Sequence, residues 1–156
     1  MKEKLKILFL CTGNSCRSQM AEGWARALKK ESIEAYSAGI ETHGLNPNAV
    51  KVMAEAGVDI SDHRSKLVDE FKGINFDVVV TVCGHARETC PFFPARSKKV
   101  HAGFDDPPKM AQALAAKGAG EQEQLNCYRK VRDEIKAFVE KMPKNICPNE
   151  KEIPEL

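Results

Sequence analysis

A cysteine and an arginine at the two ends of a short loop are the residues of this sequence best suited to chemistry. Cys11 follows an apolar run, Ile7-Leu8-Phe9-Leu10, that predicts a buried strand, and Arg17 begins a segment with apolar residues at helical spacing. A loop between a strand and a helix directs backbone N–H groups and the positive end of the helix dipole at one point. That point suits a tetrahedral oxyanion, to which Arg17 can add two parallel hydrogen bonds. The residues expected to form the oxyanion-binding loop are Thr12, Gly13, Asn14, Ser15, Cys16, Arg17 and Ser18.

Cys11 is the candidate nucleophile of this loop. The field that binds an oxyanion also favours a thiolate over a thiol, and the thiolate is the reactive form of cysteine. The alternative is a cysteine that ends a strand and packs in the core, which is common for this residue type. The glycine, asparagine, arginine and serine that follow at these offsets favour the nucleophile.

Asp106 is the candidate general acid. It lies just beyond the last predicted strand, in the sequence Asp105-Asp106-Pro107-Pro108. A carboxyl group held there by the following prolines can protonate an oxygen as it leaves. Asp106 is preferred over Asp105 because it directly precedes Pro107. A turn with solvated carboxylates, which is usual for such a sequence, is the alternative.

The elements that must position these residues alternate between strands and helices. Apolar and β-branched runs predict strands over 7–10, 34–40, 76–83 and 99–104. Helical spacing predicts helices over 19–31, 46–57, 67–72, 110–117 and 121–142, whereas prolines 91 and 94 make 84–94 irregular. This order predicts a three-layer α/β/α sandwich with a four-stranded parallel sheet. Because ligands bind at the carboxyl ends of such strands, Cys11, Cys83 and Asp106 should meet at one site.

The composition indicates an ordinary globular protein of about one domain. The 156 residues are 29% charged and 42% hydrophobic, and their formal net charge is +2. So small a charge gives no indication of nucleic-acid or membrane binding. The apolar run near the N-terminus has about five residues, too few for a signal peptide or a membrane span, which predicts a cytoplasmic location. Residues 1–142 are expected to form the catalytic domain, and residues 143–156 a loosely attached tail.

Two further cysteines decide between hydrolysis and redox chemistry. Cys83 ends a valine-rich strand and should face the same edge of the sheet as Cys11, and Cys90 follows in a segment bounded by glycine and proline. Three cysteines within reach can pass a disulfide outward, because a thiolate that attacks a sulfur expels the other thiol. The alternatives are two unrelated cysteines, or a metal site of Cys83, His85 and Cys90 with Cys11 or Cys16. No metal is expected, because the spacing lacks the Cys-x2-Cys pairs usual for zinc.

The remaining cysteines and histidines are given no catalytic role. Cys16 is expected to pack beneath the loop, Cys127 to lie in the core and Cys147 to be exposed in the tail. The histidines are scattered along the chain with no evident partner and are interpreted as surface or turn residues: His43, His63, His85 and His101.

The run from Cys11 to Glu22, Cys-Thr-Gly-Asn-Ser-Cys-Arg-Ser-Gln-Met-Ala-Glu, resembles the loop and helix of thioredoxin-coupled arsenate reductases. Those enzymes share their fold with low-molecular-weight protein tyrosine phosphatases. The resemblance extends through Ser37-Ala38-Gly39, residues 77–90 and Asp105-Asp106-Pro107. The roles it implies are nucleophile for Cys11, oxyanion binding for Arg17, loop shaping and thiolate support for Asn14 and Ser18, general acid for Asp106, and disulfide resolution for Cys83 and Cys90.

The resemblance implies the reduction of arsenate to arsenite without a cofactor, with thioredoxin as the reductant. Phosphate or sulfate should compete with arsenate, because all three are tetrahedral oxyanions. The loop is common to the reductases and the phosphatases, so the pair Cys83 and Cys90 is what favours reduction. A low-molecular-weight tyrosine phosphatase is the alternative, although Pro108-Lys109 replaces the aromatic residues that phosphatases commonly have after Asp-Pro. A thiol-based metal- or arsenite-binding protein is a third possibility, and glutathione with glutaredoxin is the rival reductant.

Lys66 gives rise to a separate hypothesis. Some arsenate reductases of this family bind potassium near the loop through an acidic residue in the connector before the third helix. This sequence has Lys66 in that neighbourhood. The hypothesis is that the lysine supplies the positive charge internally.

Overall fold

A four-stranded parallel sheet lies at the centre of the structure, a computed structural model that describes residues 4–88 and 97–146. The two middle strands are apolar and almost entirely buried, as expected for strands covered on both faces. The order across the sheet is β2-β1-β3-β4. The strands are β1 (Leu5–Cys11), β2 (Ile33–Gly39), β3 (Val78–Thr81) and β4 (Lys98–His101).

Helices connect the strands and cover the sheet. They are α1 (Arg17–Leu28), α2 (Pro47–Glu55), α3 (Gly84–Glu88), α4 (Pro107–Ala116) and α5 (Glu121–Glu140), with a 3-10 turn at Val68–Phe71. The predicted three-layer sandwich with a four-stranded parallel sheet is confirmed. None of the helices in the described ranges combines the length and the apolar character needed to cross a membrane.

The start of α2 agrees with its sequence signal. Pro47 occupies the first turn, and the side chain of Asn46 accepts hydrogen bonds from the backbone N–H groups of Asn48 and Ala49 at 2.8 and 3.3 Å. This is the capping geometry that asparagine favours before a helix.

Several helices differ from the prediction: α1 spans Arg17–Leu28 rather than 19–31, the helix predicted over 67–72 is the 3-10 turn, and α4 and α3 differ as follows. α4 begins at Pro107 rather than at residue 110, because proline fits the first helical turn, where no N–H donor is needed. α3 occupies Gly84–Glu88, in a segment predicted to be irregular. The prolines that motivated that prediction come after the helix and do not prevent it. They belong to residues 89–96, which include Cys90 and lie outside the described residues.

The first residues of the predicted tail pack against the domain. Ile146 is fully buried and, with Met142, belongs to the hydrophobic core. The expected loose attachment is therefore wrong for Ile146, whose apolar side chain is removed from water. Cys147 and the rest of the tail lie outside the described residues. Cys127 is buried on α5, as expected.

Candidate active site

A cavity of about 420 Å³ opens at the carboxyl ends of the strands, where the sequence places its candidate residues. Three helices begin beside it, since α1 follows Cys16, α2 follows Asn46 and α4 follows Asp106. Their positive N-terminal ends favour a bound anion. The residues that line the cavity are Cys11, Thr12, Gly13, Ser15, Cys16, Arg17, His43, Asn46, Asp106 and Pro108.

The sulfur of Cys11 lies within hydrogen-bond distance of Ser18. Cys11 Sγ lies 2.8 Å from Ser18 Oγ, and Asn14 Nδ2 donates to the same Ser18 oxygen at 2.8 Å. Because that oxygen accepts from Asn14, the hydroxyl hydrogen of Ser18 is available to the sulfur. A hydrogen bond donated to the sulfur favours its thiolate form. The structure therefore brings Ser18 and Asn14 to the candidate nucleophile.

Asn14 is fixed in an uncommon backbone conformation. It is fully buried and has φ of 48°, a left-handed value that asparagine tolerates better than most residues. Its side-chain oxygen accepts from Gln19 Nε2 at 3.0 Å and from the backbone N–H of Lys66 at 2.8 Å. These bonds orient the amide nitrogen toward Ser18.

The segment 40–46 shapes the loop through its backbone. Four of its N–H groups donate to loop carbonyls: Ile40 to Cys11, Glu41 to Thr12, His43 to Gly13 and Asn46 to Ser15, at 2.8–3.2 Å. The backbone N–H groups of residues 13–15 donate to no group in the described part of the chain. They are therefore free to bind an oxyanion in the cavity. Sequence reasoning missed this segment, because every residue but proline carries a backbone N–H and no residue type marks the role.

Arg17 is held at the edge of the cavity. Its Nη1 donates to the carbonyl oxygen of Phe104 at 2.9 Å, and its Nη2 lies 3.8 Å from Asp106 Oδ2. These contacts tether the guanidinium and leave further N–H groups for a bound oxyanion. The side chain of Asp106 is 42% exposed, so its carboxyl group can exchange protons with solvent at the mouth of the cavity.

Cys83 lies against the oxyanion-binding loop. Its sulfur is 3.3 Å from Thr12 Oγ1 and accepts from the backbone N–H of Ala86 at 3.3 Å. Only 4% of Cys83 is exposed. Because Thr12 directly follows Cys11, Cys83 contacts the loop that begins at the candidate nucleophile, although Cys83 is not among the residues that line the cavity. The third cysteine of the predicted relay, Cys90, lies outside the described residues.

Lys66 occupies a largely buried position among oxygen atoms behind the loop. Its Nζ lies 3.5 Å from Glu22 Oε1, 3.4 Å from Ser37 Oγ and 3.0 Å from the carbonyl oxygen of Arg64. Burial lowers the pKa of Lys66, and the nearby carboxylate of Glu22 opposes that shift. These contacts support the hypothesis that the ammonium group supplies an internal positive charge.

Cys16 lies beneath the loop, as expected. It is 4% exposed, and burial raises the pKa of its thiol well above the usual range, with the adjacent Cys11 adding to the shift. The thiol therefore stays protonated near neutral pH.

His43, His63 and His101 lie within hydrogen-bond distance of partners that the sequence did not indicate. His43 Nε2 lies 2.7 Å from Glu41 Oε2, His63 Nδ1 3.1 Å from Gln19 Oε1, and His101 Nδ1 2.9 Å from Thr81 Oγ1. His43 and His101 are exposed, as the surface interpretation expects, and His63 is half-buried. Two of their partners could not be found from the sequence, because they lie 20 and 44 positions away in the chain. Across residues 4–88 and 97–146, no group of three or more His, Cys, Asp or Glu side chains could hold a metal ion.

Comparison with known proteins identifies the family of this chain. The sequence pattern of the low molecular weight phosphotyrosine protein phosphatase family matches residues 6–152, and the chain belongs to that family. An arsenate reductase of Halalkalibacterium halodurans is 52% identical over 132 residues, which cover 85% of this chain and 90% of the relative.

Solved structures show the same fold. An arsenate reductase in its phosphate-binding state superposes with a TM-score of 0.68 at 32% identity, over 91% of this chain and 98% of the other. A low molecular weight protein tyrosine phosphatase from T. tengcongensis also gives a TM-score of 0.68, at 29% identity, over 91% of this chain and 99% of the other. The fold is therefore shared by proteins named as reductases and as phosphatases.

Proposed function

We propose that the protein reduces arsenate to arsenite through three thiols, with Cys11 as nucleophile and Cys83 and Cys90 as resolving cysteines. The observation that carries the proposal is the contact of 3.3 Å between Cys83 Sγ and Thr12 Oγ1. A second thiol that contacts the residue next to the nucleophile suits redox chemistry, whereas hydrolysis needs no such group. The 52% identity to a protein named arsenate reductase supports the same assignment.

The first step joins Cys11 to arsenic. The thiolate of Cys11 attacks arsenic(V), and a hydroxide leaves as water after it takes a proton from the carboxyl group of Asp106. The backbone N–H groups of the loop and the guanidinium of Arg17 stabilise the charge on the remaining oxygens. The product is arsenate bound through sulfur to Cys11, and arsenic is still in its +5 state.

The second step reduces arsenic. The Cys83 thiolate attacks Cys11 Sγ, the sulfur–arsenic bond breaks, and its electron pair goes to arsenic, which leaves as arsenite. A Cys11–Cys83 disulfide remains. Cys90 then attacks Cys83 Sγ, which moves the disulfide to Cys83–Cys90 and releases Cys11 as a thiolate. A dithiol reductant, which we propose to be thioredoxin, then reduces the Cys83–Cys90 disulfide and is itself oxidised to a disulfide. The requirement for reduced thiols fits a cytoplasmic location.

Hydrolysis of phosphate esters is the second candidate function. The site holds the groups that it needs, namely Cys11, the loop N–H groups, Arg17 and Asp106, and the chain shares its fold with the phosphatase from T. tengcongensis. The same groups should bind phosphate in competition with arsenate. Selectivity for arsenate then comes from the chemistry of the second step, because thiols reduce arsenic(V) and do not reduce phosphorus(V).

The test is arsenite formation by the reduced protein, with thioredoxin and its reductase compared against glutathione plus glutaredoxin. We expect sustained turnover with thioredoxin and none after Cys11→Ser. The matched control is Cys127→Ser, since Cys127 is a buried thiol on α5 outside the cavity. If the variant with Cys83 and Cys90 both replaced by serine hydrolyses an aryl phosphate and the native protein forms no arsenite, the phosphatase assignment is correct and the reductase assignment is wrong.

A further inference from the structure

We propose that the side-chain amide of Asn46 donates a hydrogen bond to the outward-facing oxygen of the bound oxyanion, and that this bond selects free oxyanions over forms substituted at that oxygen. The proposal deepens the proposed function, because it rests on oxyanion binding at the Cys11 loop. It gives Asn46 a role in specificity beyond capping α2.

The hydrogen bonds of Asn46 fix which way its amide points. Its Oδ1 accepts from the backbone N–H groups of Asn48 and Ala49, at 2.8 and 3.3 Å, and its Nδ2 donates to the hydroxyl of Tyr128 at 3.3 Å. A flipped amide would place its NH₂ group against two N–H donors, so the orientation is determined. Tyr128 is 3% exposed, and burial raises the pKa of its hydroxyl, which therefore stays protonated.

One N–H of the Asn46 amide is left over. An NH₂ group carries two donors, and the hydroxyl of Tyr128 takes one of them. Within residues 4–88 and 97–146, no acceptor takes the other. Asn46 lines the same cavity as Cys11 and Arg17, which gives this donor access to a bound ligand.

The backbone of Asn46 ties this donor to the oxyanion-binding loop. Asn46 N donates to the carbonyl oxygen of Ser15 at 2.9 Å, within the loop that binds the oxyanion. The side-chain amide of Asn46 is therefore held by the first turn of α2 and by Tyr128 on α5, and the backbone N–H of Asn46 is held by the loop. A donor fixed before the ligand arrives loses little entropy on binding.

The Asn46 amide can donate its remaining hydrogen bond to the fourth oxygen of a tetrahedral anion. An anion that directs three of its oxygens at the loop N–H groups and Arg17 turns its fourth oxygen away from the loop. Asn46 lines the cavity together with His43, Asp106 and Pro108. In the proposed mechanism, Asp106 gives a proton to the leaving oxygen. The amide of Asn46, in contrast, is an uncharged donor that does not titrate. A hydrogen bond from such a donor to an anionic oxygen is stronger than one between neutral groups.

Two probes separate recognition of the fourth oxygen from general oxyanion binding. Phosphate has four oxygens, whereas methylphosphonate keeps three and has a methyl group in place of the fourth. Binding is measured as protection of Cys11 from alkylation by iodoacetamide, followed by mass spectrometry of its peptide. This readout needs no arsenate reduction. The proposal for Asn46 can therefore fail while the reductase assignment stands, and the reductase assignment can fail while the proposal for Asn46 stands.

Asn46→Ser is the decisive variant. Serine is a good N-cap, so it retains the start of α2, but its shorter side chain carries no amide donor. We expect phosphate to bind about tenfold more weakly to the variant, as for the loss of one hydrogen bond to a charged group. Methylphosphonate should bind within about twofold of its native affinity, because it makes no hydrogen bond through its methyl group.

Tyr128→Phe is the second variant, and it leaves the cap and Asn46 itself unchanged. It removes the hydroxyl that orients the amide, so we expect a smaller loss, roughly threefold, again for phosphate alone. Equal weakening of both probes in either variant would show a structural role of Asn46 and overturn the proposal. Unchanged phosphate affinity in Asn46→Ser would overturn it as well.

Discussion

At the residue scale, the proposed chemistry depends on the hydroxyl groups that contact the sulfur atoms of Cys11 and Cys83. Cys11 Sγ faces the hydroxyl of Ser18 at 2.8 Å, and Cys83 Sγ faces the hydroxyl of Thr12 at 3.3 Å. In the proposed mechanism, each hydroxyl is placed to donate a hydrogen bond to the sulfur at the step in which that sulfur attacks. The two contacts are independent, so the two sulfurs can be perturbed separately.

The contact between Thr12 and Cys83 is tested by Thr12→Val, which keeps the shape of the side chain and removes its hydroxyl. We expect the second displacement to slow by about tenfold, the usual size for a lost hydrogen bond to a charged group. The measurement is the rate of Cys11–Cys83 disulfide formation after rapid mixing with arsenate. Thr12→Ser keeps the hydroxyl and should remain near the native rate. Equal rates in the valine and serine variants would disprove a role for the hydroxyl.

The charge of Lys66 is tested by Lys66→Met together with a potassium titration. The side chains of Lys66 and Glu22 are 12% and 3% exposed, and removing the ammonium group leaves the buried carboxylate of Glu22 with Arg26 and Ser37 as its partners. We expect a loss of roughly 1–3 kcal/mol in the free energy of unfolding, as for the loss of one partner of a buried charged group, measured by urea denaturation. Lys51→Met is the matched control, since the ion pair of Lys51 with Glu121 is exposed and should contribute less than about 1 kcal/mol.

The dependence of activity on potassium tests whether the ammonium group of Lys66 replaces a bound potassium ion. If Lys66 supplies the positive charge, exchange of sodium for potassium at constant ionic strength should leave the native activity unchanged. Strong activation of the native protein by potassium would contradict the hypothesis.

At the element scale, the segment that follows β2 acts as a support for the catalytic loop. Four backbone N–H groups within residues 40–46 bind loop carbonyls. Gly39 permits this close approach, because a Cβ there would lie 2.8 Å from Asn14 N and Thr12 O, and nearer still to the carbonyl oxygen of Glu41. Backbone atoms cannot move aside as a flexible side chain can.

Gly39→Ala should therefore displace the loop. We expect a loss of roughly 1–3 kcal/mol in the free energy of unfolding, as for overpacking at a tight contact, and a clear loss of phosphate affinity. Both quantities are measured by urea denaturation with and without phosphate. Gly73→Ala is the matched control, because no atom lies within 4 Å of the added methyl group. Native phosphate affinity in Gly39→Ala would show that the loop does not depend on this approach.

At the scale of the whole molecule, the parts that local patterns determine could be predicted from the sequence. The apolar run before Cys11, the long amphipathic α5 and the cap at Asn46 depend on neighbouring residues, and each was predicted. The support by residues 40–46 could not be predicted, because it uses backbone groups and pairs distant segments. The partner of His63, Gln19, was missed because it lies 44 positions away. The position of Cys90 remains a prediction from the sequence.

The central claim, that three thiols pass the disulfide outward, is tested most directly by a single-turnover experiment on Cys90→Ser. The reduced variant is mixed with excess arsenate, and the arsenite formed per enzyme is counted while mass spectrometry identifies the disulfide. We expect about one arsenite per enzyme, because reduction stops at a Cys11–Cys83 disulfide that has no third thiol to resolve it. Repeated turnover with thioredoxin in the absence of Cys90, at the rate of the native protein, would contradict the relay.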